Sequence, residues 1–183
     1  MLDEAVEALL RGEVIVVPTD TVYGVAVAAS VPGATARLFE VKARPTDVAL
    51  PVLVTDEAQA REIVEVSPVA ADLMAAHWPG GLTIVLPRRA GFDVDLGGTD
   101  RSTVGVRVPD HDVPRELARR VGPLVTTSAN LHGRPTPATA AQVQAELGVE
   151  VIVDGGACAG APSTVVRVVG DVVEVLRQGS IHL

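Results

Sequence analysis

The stretch from Val14 to Arg44 constrains this chain more than any other. Residues 14–17, Val-Ile-Val-Val, form a buried strand; Pro18-Thr19-Asp20-Thr21 is the loop that leaves it, and residues 22–28 are a second apolar run. Pro32 and Gly33 then break the chain, and residues 34–41 carry Ala34, Leu38 and Val41 at helical spacing. Strand, loop, strand and helix in such quick succession call for a sheet covered by helices. The core behind it has to be built from Val, Ala and Leu, because the chain is 48% apolar yet only 2% aromatic. Small branched side chains of that kind pack between sheet and helix, so the expected class is α/β. A length of 183 residues fits one domain spanning the whole chain, 1–183, burying about 70% of the unfolded surface.

The rest of the chain repeats the pattern. Residues 2–10 place Leu2, Val6, Leu9 and Leu10 on one stripe, with Asp3 and Glu4 in the first turn and Gly12 as a stop. Asp56 caps a helix to about Val64, and Ser67-Pro68 opens another that ends at Trp78-Pro79-Gly80-Gly81. Further helices are expected from Asp112 or Pro114 to Val121 and over residues 138–147. Strands are expected at 50–54, 82–86, 104–108, 123–126, 149–153, 165–169 and 172–176, the last two joined at Gly170-Asp171. Residues 88–101, rich in Gly and Asp, are expected as a mobile excursion over the surface.

A formal charge of −8 weighs against a protein that works mainly by gripping a nucleic-acid backbone, so any anion site must be local. The single cysteine, Cys158, cannot close an internal disulfide and is expected to be inert, and the start of the chain has no charged leader before an apolar core. A cytoplasmic protein is expected. No apolar run approaches the roughly 20 residues of a membrane span.

Polar residues recur at strand ends, where open α/β sheets hold their ligands: Thr19, Thr21, Lys42, Arg44, Thr103, Arg107, Thr126, Ser128, Asn130, Ser163 and Arg177. Donors and cations dominate this set and carboxylates are few, which suits a ligand with several anionic oxygens. Lys42 is the only lysine among fifteen basic residues. Either a compact ammonium is needed in a confined place, or a cation simply sits at a helix end; Lys42 and Arg44 are both expected on the loop leaving that helix. Arg107, inside a strand, is either an exposed charge or an anion clamp in a cleft. There is no GxxxxGK[ST] or GxGxxG loop, no metal-ligand spacing among His and Cys, and no base beside Ser128 to make it a nucleophile.

Six motifs stand in order along the chain: Pro18-Thr19-Asp20-Thr21-Val22-Tyr23-Gly24, Lys42-Ala43-Arg44-Pro45, Pro79-Gly80-Gly81-Leu82-Thr83, Arg107-Val108-Pro109, Ser128-Ala129-Asn130 and Ser163-Thr164-Val165-Val166. In order and spacing this resembles the YrdC family, the threonylcarbamoyl-AMP synthases of tRNA modification. The resemblance implies a twisted mixed sheet flanked by helices around a large concave cleft. It also implies synthesis of L-threonylcarbamoyladenylate and pyrophosphate from L-threonine, bicarbonate and ATP, for modification at position 37 of tRNA by downstream transferase machinery. On this resemblance the catalytic KxR…SxN set falls on Lys42, Arg44, Ser128 and Asn130. L-Threonine or its carbamate falls to Thr19, Arg107, Thr126 and Ser163, and ATP to Lys42, Thr46, Thr103, Ser128, Thr136 and Arg177. Magnesium is expected to arrive with ATP, held mainly by phosphates and water, with no protein metal site. Gly81, Ala49 and His132 depart from the family pattern without removing a proposed ligand. Two other readings stay open: a module that binds tRNA or double-stranded RNA, for which tight RNA binding with a steep salt slope and no nucleotide affinity would be the sign, and a paralogue acting on a different amino acid. Weak RNA contact stands among the expected partner interactions.

Overall fold

Alternating side chains decide how this molecule is layered. The computed structural model describes every residue except Arg44, His132 and Ala159. Nine strands pair into one mixed sheet: β1 (Ile15–Val17), β2 (Gly24–Ala28), β3 (Val52–Leu53), β4 (Leu82–Pro87), β5 (Thr103–Arg107), β6 (Leu124–Ser128), β7 (Val151–Ile152), β8 (Thr164–Val169) and β9 (Val172–Arg177), in the order β7-β1-β2-β6-β3-β5-β4-β8-β9. Pairs β1/β7, β3/β5 and β4/β8 are parallel and the others antiparallel.

Six helices cover the sheet, and their ends follow local chemistry. In α1 (Leu2–Leu10) Asp3 and Glu4 sit in the first turn, where the helix dipole favours negative charge. The Asp56 carboxylate accepts from Gln59 N to start α3 (Glu57–Ile63), and Ser67 accepts from Ala70 N ahead of Pro68 in α4 (Pro68–His77). His111 Nδ1 accepts from Val113 N at the start of α5 (Asp112–Val121). Thr139 and Gln142 form a capping box, so α6 (Ala140–Leu147) begins two residues later than its periodicity suggests. The remaining helix, α2 (Ala34–Lys42), runs one residue further than expected and takes Lys42 out of the loop into its last turn.

On one sheet face Val52, Ile84, Leu86, Val104, Val106, Val125, Val166 and Val168 pack with α2, α3, α4 and α6 into the main core. On the other, α1 and α5 cover Ile15, Val17, Ala26, Ala28, Leu53 and Leu124. Those two helices reach only the β7-to-β3 part of the sheet. Beyond β3 the same face is left without a helix, and a hollow lies there. Trp78 closes the turn ahead of β4 by donating Nε1–H to Leu82 O at 2.7 Å.

The segment between β4 and β5 is not the loose surface excursion that its composition suggests. Leu96 is 1% exposed in the main core, Leu50 N donates to Leu96 O at 2.8 Å, and Gly98 N donates to Thr46 O at 2.7 Å. At the far edge, β9 has all six residues exposed, because no layer covers it. Among the described residues no helix is long and apolar enough to cross a membrane.

Candidate active site

Residues two apart in a strand share a face. That rule sorts Thr83 and Val85 of β4, Thr103, Gly105 and Arg107 of β5, and Thr126 and Ser128 of β6 onto the uncovered face, with Ser163, Val165 and Arg177 beside them. They line a hollow of about 520 Å³, within the usual size of small-molecule sites. The loop after β1 and residues 134–136 complete its rim.

One end is built around Arg107. Arg107 is 6% exposed, and its guanidinium donates Nε–H to Gly80 O at 2.9 Å, Nη1–H to Thr21 Oγ1 at 3.1 Å and Nη2–H to Asp20 Oδ1 at 2.6 Å. Thr19 fixes the loop that brings these partners: its hydroxyl donates to Val22 O at 2.6 Å and accepts from the amides of Thr21 and Val22. With the Thr19 proton so used, Thr21 donates across the 3.0 Å hydroxyl contact and keeps lone pairs for Arg107. Burial pulls the Arg107 pKa below the ordinary guanidinium value; the Asp20 carboxylate works against that shift, and nearby Arg177 adds to it. Of the two readings open for Arg107, the cleft is the one observed.

Beside it Arg177 donates Nε–H and Nη2–H to Ser163 O, and Nη2–H to Ser163 Oγ at 3.1 Å; Ser163 Oγ in turn lies 3.0 Å from Thr83 Oγ1. Tyr23, fully buried, donates its hydroxyl to Gly156 O at 2.7 Å and accepts from Gly155 N at 3.1 Å, fastening the loop after β7.

The other end is a knot around Asn130. Its Oδ1 accepts from Ser128 Oγ at 2.5 Å and Thr136 Oγ1 at 3.4 Å, while Nδ2–H donates to the carbonyls of Leu131 and Arg134. Lys42, 2% exposed, comes from underneath: its ammonium donates to Ser128 O at 2.5 Å, to Asn130 Oδ1 at 3.1 Å and to Asn130 O. Here a compact point charge meets three acceptors at one spot, which a planar fork cannot do.

Of the residues singled out in the sequence, Thr19, Thr103, Arg107, Thr126, Ser128, Asn130, Thr136, Ser163 and Arg177 all line the hollow. Lys42 touches two of them without lining it. Thr46 lines a second hollow, between α2 and residues 93–101, because the loop that carries it turns away from the first. Arg44 lies outside the described residues. Three residues went unassigned: Thr83, Asp20 and Arg134. Alternation along β4 marks Thr83, but nothing local marks Asp20, whose partner Arg107 comes from elsewhere in the fold, or the turn into the hollow that carries Arg134.

A helix-backed sheet whose bare concave face carries hydroxyls, an amide and three arginines, with no carboxylate among its lining residues, defines an α/β protein with a hollow suited to a small anionic ligand. Comparison with known proteins gives the family. The family model described as Telomere recombination, which groups Sua5, YciO and YrdC proteins, matches residues 7–179. A putative threonylcarbamoyl-AMP synthase of Mycobacterium tuberculosis is 39% identical over 181 residues, covering 97% of this chain and 83% of that protein. The threonylcarbamoyl-AMP synthase of Bacillus subtilis is 38% identical over 180 residues, covering 95% of this chain and 52% of that one. Among solved structures, Pyrococcus abyssi Sua5 complexed with L-threonine superposes with a TM-score of 0.88 at 34% identity, over 97% of this chain and 54% of that chain. The chain belongs to the Sua5/YciO/YrdC family, and it spans about half the length of the Bacillus and Pyrococcus proteins.

Proposed function

We propose that this chain is an L-threonylcarbamoyladenylate synthase, a nucleotidyltransferase that joins L-threonine, bicarbonate and ATP into threonylcarbamoyl-AMP, pyrophosphate and water. The observation that carries this reading is the charge of the hollow: a chain of net charge −8 lines its cavity with Arg107, Arg134 and Arg177 and with no acid. Such a cavity suits a reaction in which anions must be brought together.

The amine of L-threonine takes up carbon dioxide from bicarbonate, and the resulting carbamate oxygen attacks the α-phosphorus of ATP, with the bond to pyrophosphate breaking. Two anions must meet in that step, and the leaving group takes more negative charge, so positioned cations can lower the barrier without a protein nucleophile. In this reading Arg107, with Thr19, Thr126 and Ser163, holds the threonine carboxylate or the carbamate. The triphosphate lies toward Ser128, Asn130, Arg134 and Thr136, near Thr103; Arg177, bonded to Ser163 beside Arg107, meets the phosphates from the threonine end; and Lys42 holds the 128–130 loop in place. Among the described residues no group of three or more His, Cys, Asp or Glu is placed to hold a metal. Magnesium would arrive with the triphosphate, held by phosphate oxygens and water, and would supply charge neutralisation there. The product is passed to tRNA-modifying transferase machinery that acts at position 37.

The test is pyrophosphate release by the purified chain supplied with ATP, bicarbonate and L-threonine. Release that requires all three is expected; a folded chain that releases none when L-threonine is added overturns the assignment.

A further inference from the structure

Asp20 is absent from the lining of the hollow, yet its carboxylate, only 16% exposed, is bonded to the arginine that forms one wall. The guanidinium of Arg107 therefore faces the cavity with a partly buried carboxylate bonded to it. Three of its five N–H groups are used, by Gly80, Thr21 and Asp20, so two remain for a ligand. At the other end Arg134 also lines the hollow, and its guanidinium has no acid within ion-pair distance among the described residues.

We propose that Asp20 is a positioning residue that decides which anion each end of the hollow accepts: it reserves the Arg107 end for a singly charged carboxylate and keeps polyphosphate at the Arg134 end. This rests on the reading of the hollow as a site for an amino acid and a nucleotide together. The physical reason is charge balance. Arg107 paired with one carboxylate is close to neutral as a unit, which leaves Arg177 as the net cation beside it, and it still offers directed N–H bonds to a second carboxylate at modest electrostatic cost. Repulsion from Asp20 grows in proportion to the charge on the ligand, and with the two side chains only 7% and 16% exposed the screening that would hide it is weakened. A polyphosphate at Arg107 is thus penalised several times more than a carboxylate. Without that bias the most highly charged ligand would take the most buried cation, and the amino acid would be displaced by the nucleotide it must react with.

The experiment is equilibrium dialysis of the full chain against inorganic pyrophosphate, with and without L-threonine. Wild type is expected to bind one equivalent that L-threonine does not displace. Asp20→Asn and Asp20→Ala, checked for folding by circular dichroism, are expected to bind a second equivalent that L-threonine does displace, while the apparent L-threonine affinity in the presence of pyrophosphate falls about tenfold. Asp20→Glu, which keeps the charge, is expected to retain wild-type stoichiometry. A purely structural role would loosen Arg107 and weaken both ligands without creating a second pyrophosphate site. A single equivalent in the folded neutral variants overturns the proposal. So does a wild-type chain whose pyrophosphate is displaced by L-threonine, an outcome that decides the matter even if neither neutral variant folds. A wild-type chain that binds no L-threonine at all overturns the functional reading itself.

Discussion

Lys42 and Tyr23 both act by holding other groups still. The Lys42 ammonium donates to Ser128 O, Asn130 O and Asn130 Oδ1 beneath the loop that carries Ser128 and Asn130. An arginine at this position is bulkier and planar, so it must push the loop or leave a carbonyl unpaired. Lys42→Arg is expected to cost about 2–3 kcal/mol in urea unfolding and to cut turnover about 100-fold by misplacing the two side chains. Wild-type values for both would sink that account. Tyr23 is the only tyrosine, so tyrosinate absorbance reports it alone. Burial, above all, holds its phenol above the ordinary value near 10. Because the fold prefers the neutral phenol, this contribution is complete below the unfolded value and is lost as pH rises through the raised folded one. The urea midpoint should therefore fall on the alkaline side in wild type, and more shallowly in Tyr23→Phe. Equal alkaline slopes in the two proteins would contradict it.

Among the elements, the segment from β4 to β5 shows how a stretch that looks dispensable supports the site. Gly98 has φ +81°, and a Cβ there would lie 2.8 Å from Ala49 Cβ and 2.9 Å from Ala49 N. Val48, Ala49 and Leu50 line the hollow, so pressure on Ala49 reaches the ligand. Gly98→Ala is expected to cost about 1–2 kcal/mol and to speed hydrogen exchange at the Leu50 amide, whose acceptor is Leu96 O; unchanged exchange at Leu50 would show that the two segments are not coupled. In the sequence this segment is only Gly, Asp and a few apolar residues, and the burial of Leu96 depends on where β3 and α2 stand. The starts of α3 and α4 were legible because caps are local: Asp56 and Ser67 each bind an amide within three residues. The end of α2 was not, because what draws Lys42 into the helix lies 86 and 88 residues further along the chain.

For the molecule as a whole, the proposed function predicts stabilisation by its substrates. ATP and L-threonine each at about 100 times Kd should add about 2.7 kcal/mol apiece, and together raise Tm by roughly 10 °C. Transfer RNA at the same excess should leave Tm unchanged, given the net charge of −8; a large shift with RNA and none with ATP would favour an RNA-binding module. Alternation along β4, β5 and β8 by itself determined that one face would be apolar and the other hydroxyl-rich and cationic, since side-chain direction in a strand follows from its repeat of two. Which of those faces would stay bare was decided only by tertiary structure. The reach of α1 and α5 stops short of the β5–β9 half of the sheet, and the pairing of Asp20 with Arg107 joins residues 87 apart in sequence. Periodicity is a property of neighbouring residues and can be read from them; coverage and charge pairing belong to segments that meet only after the sheet has formed.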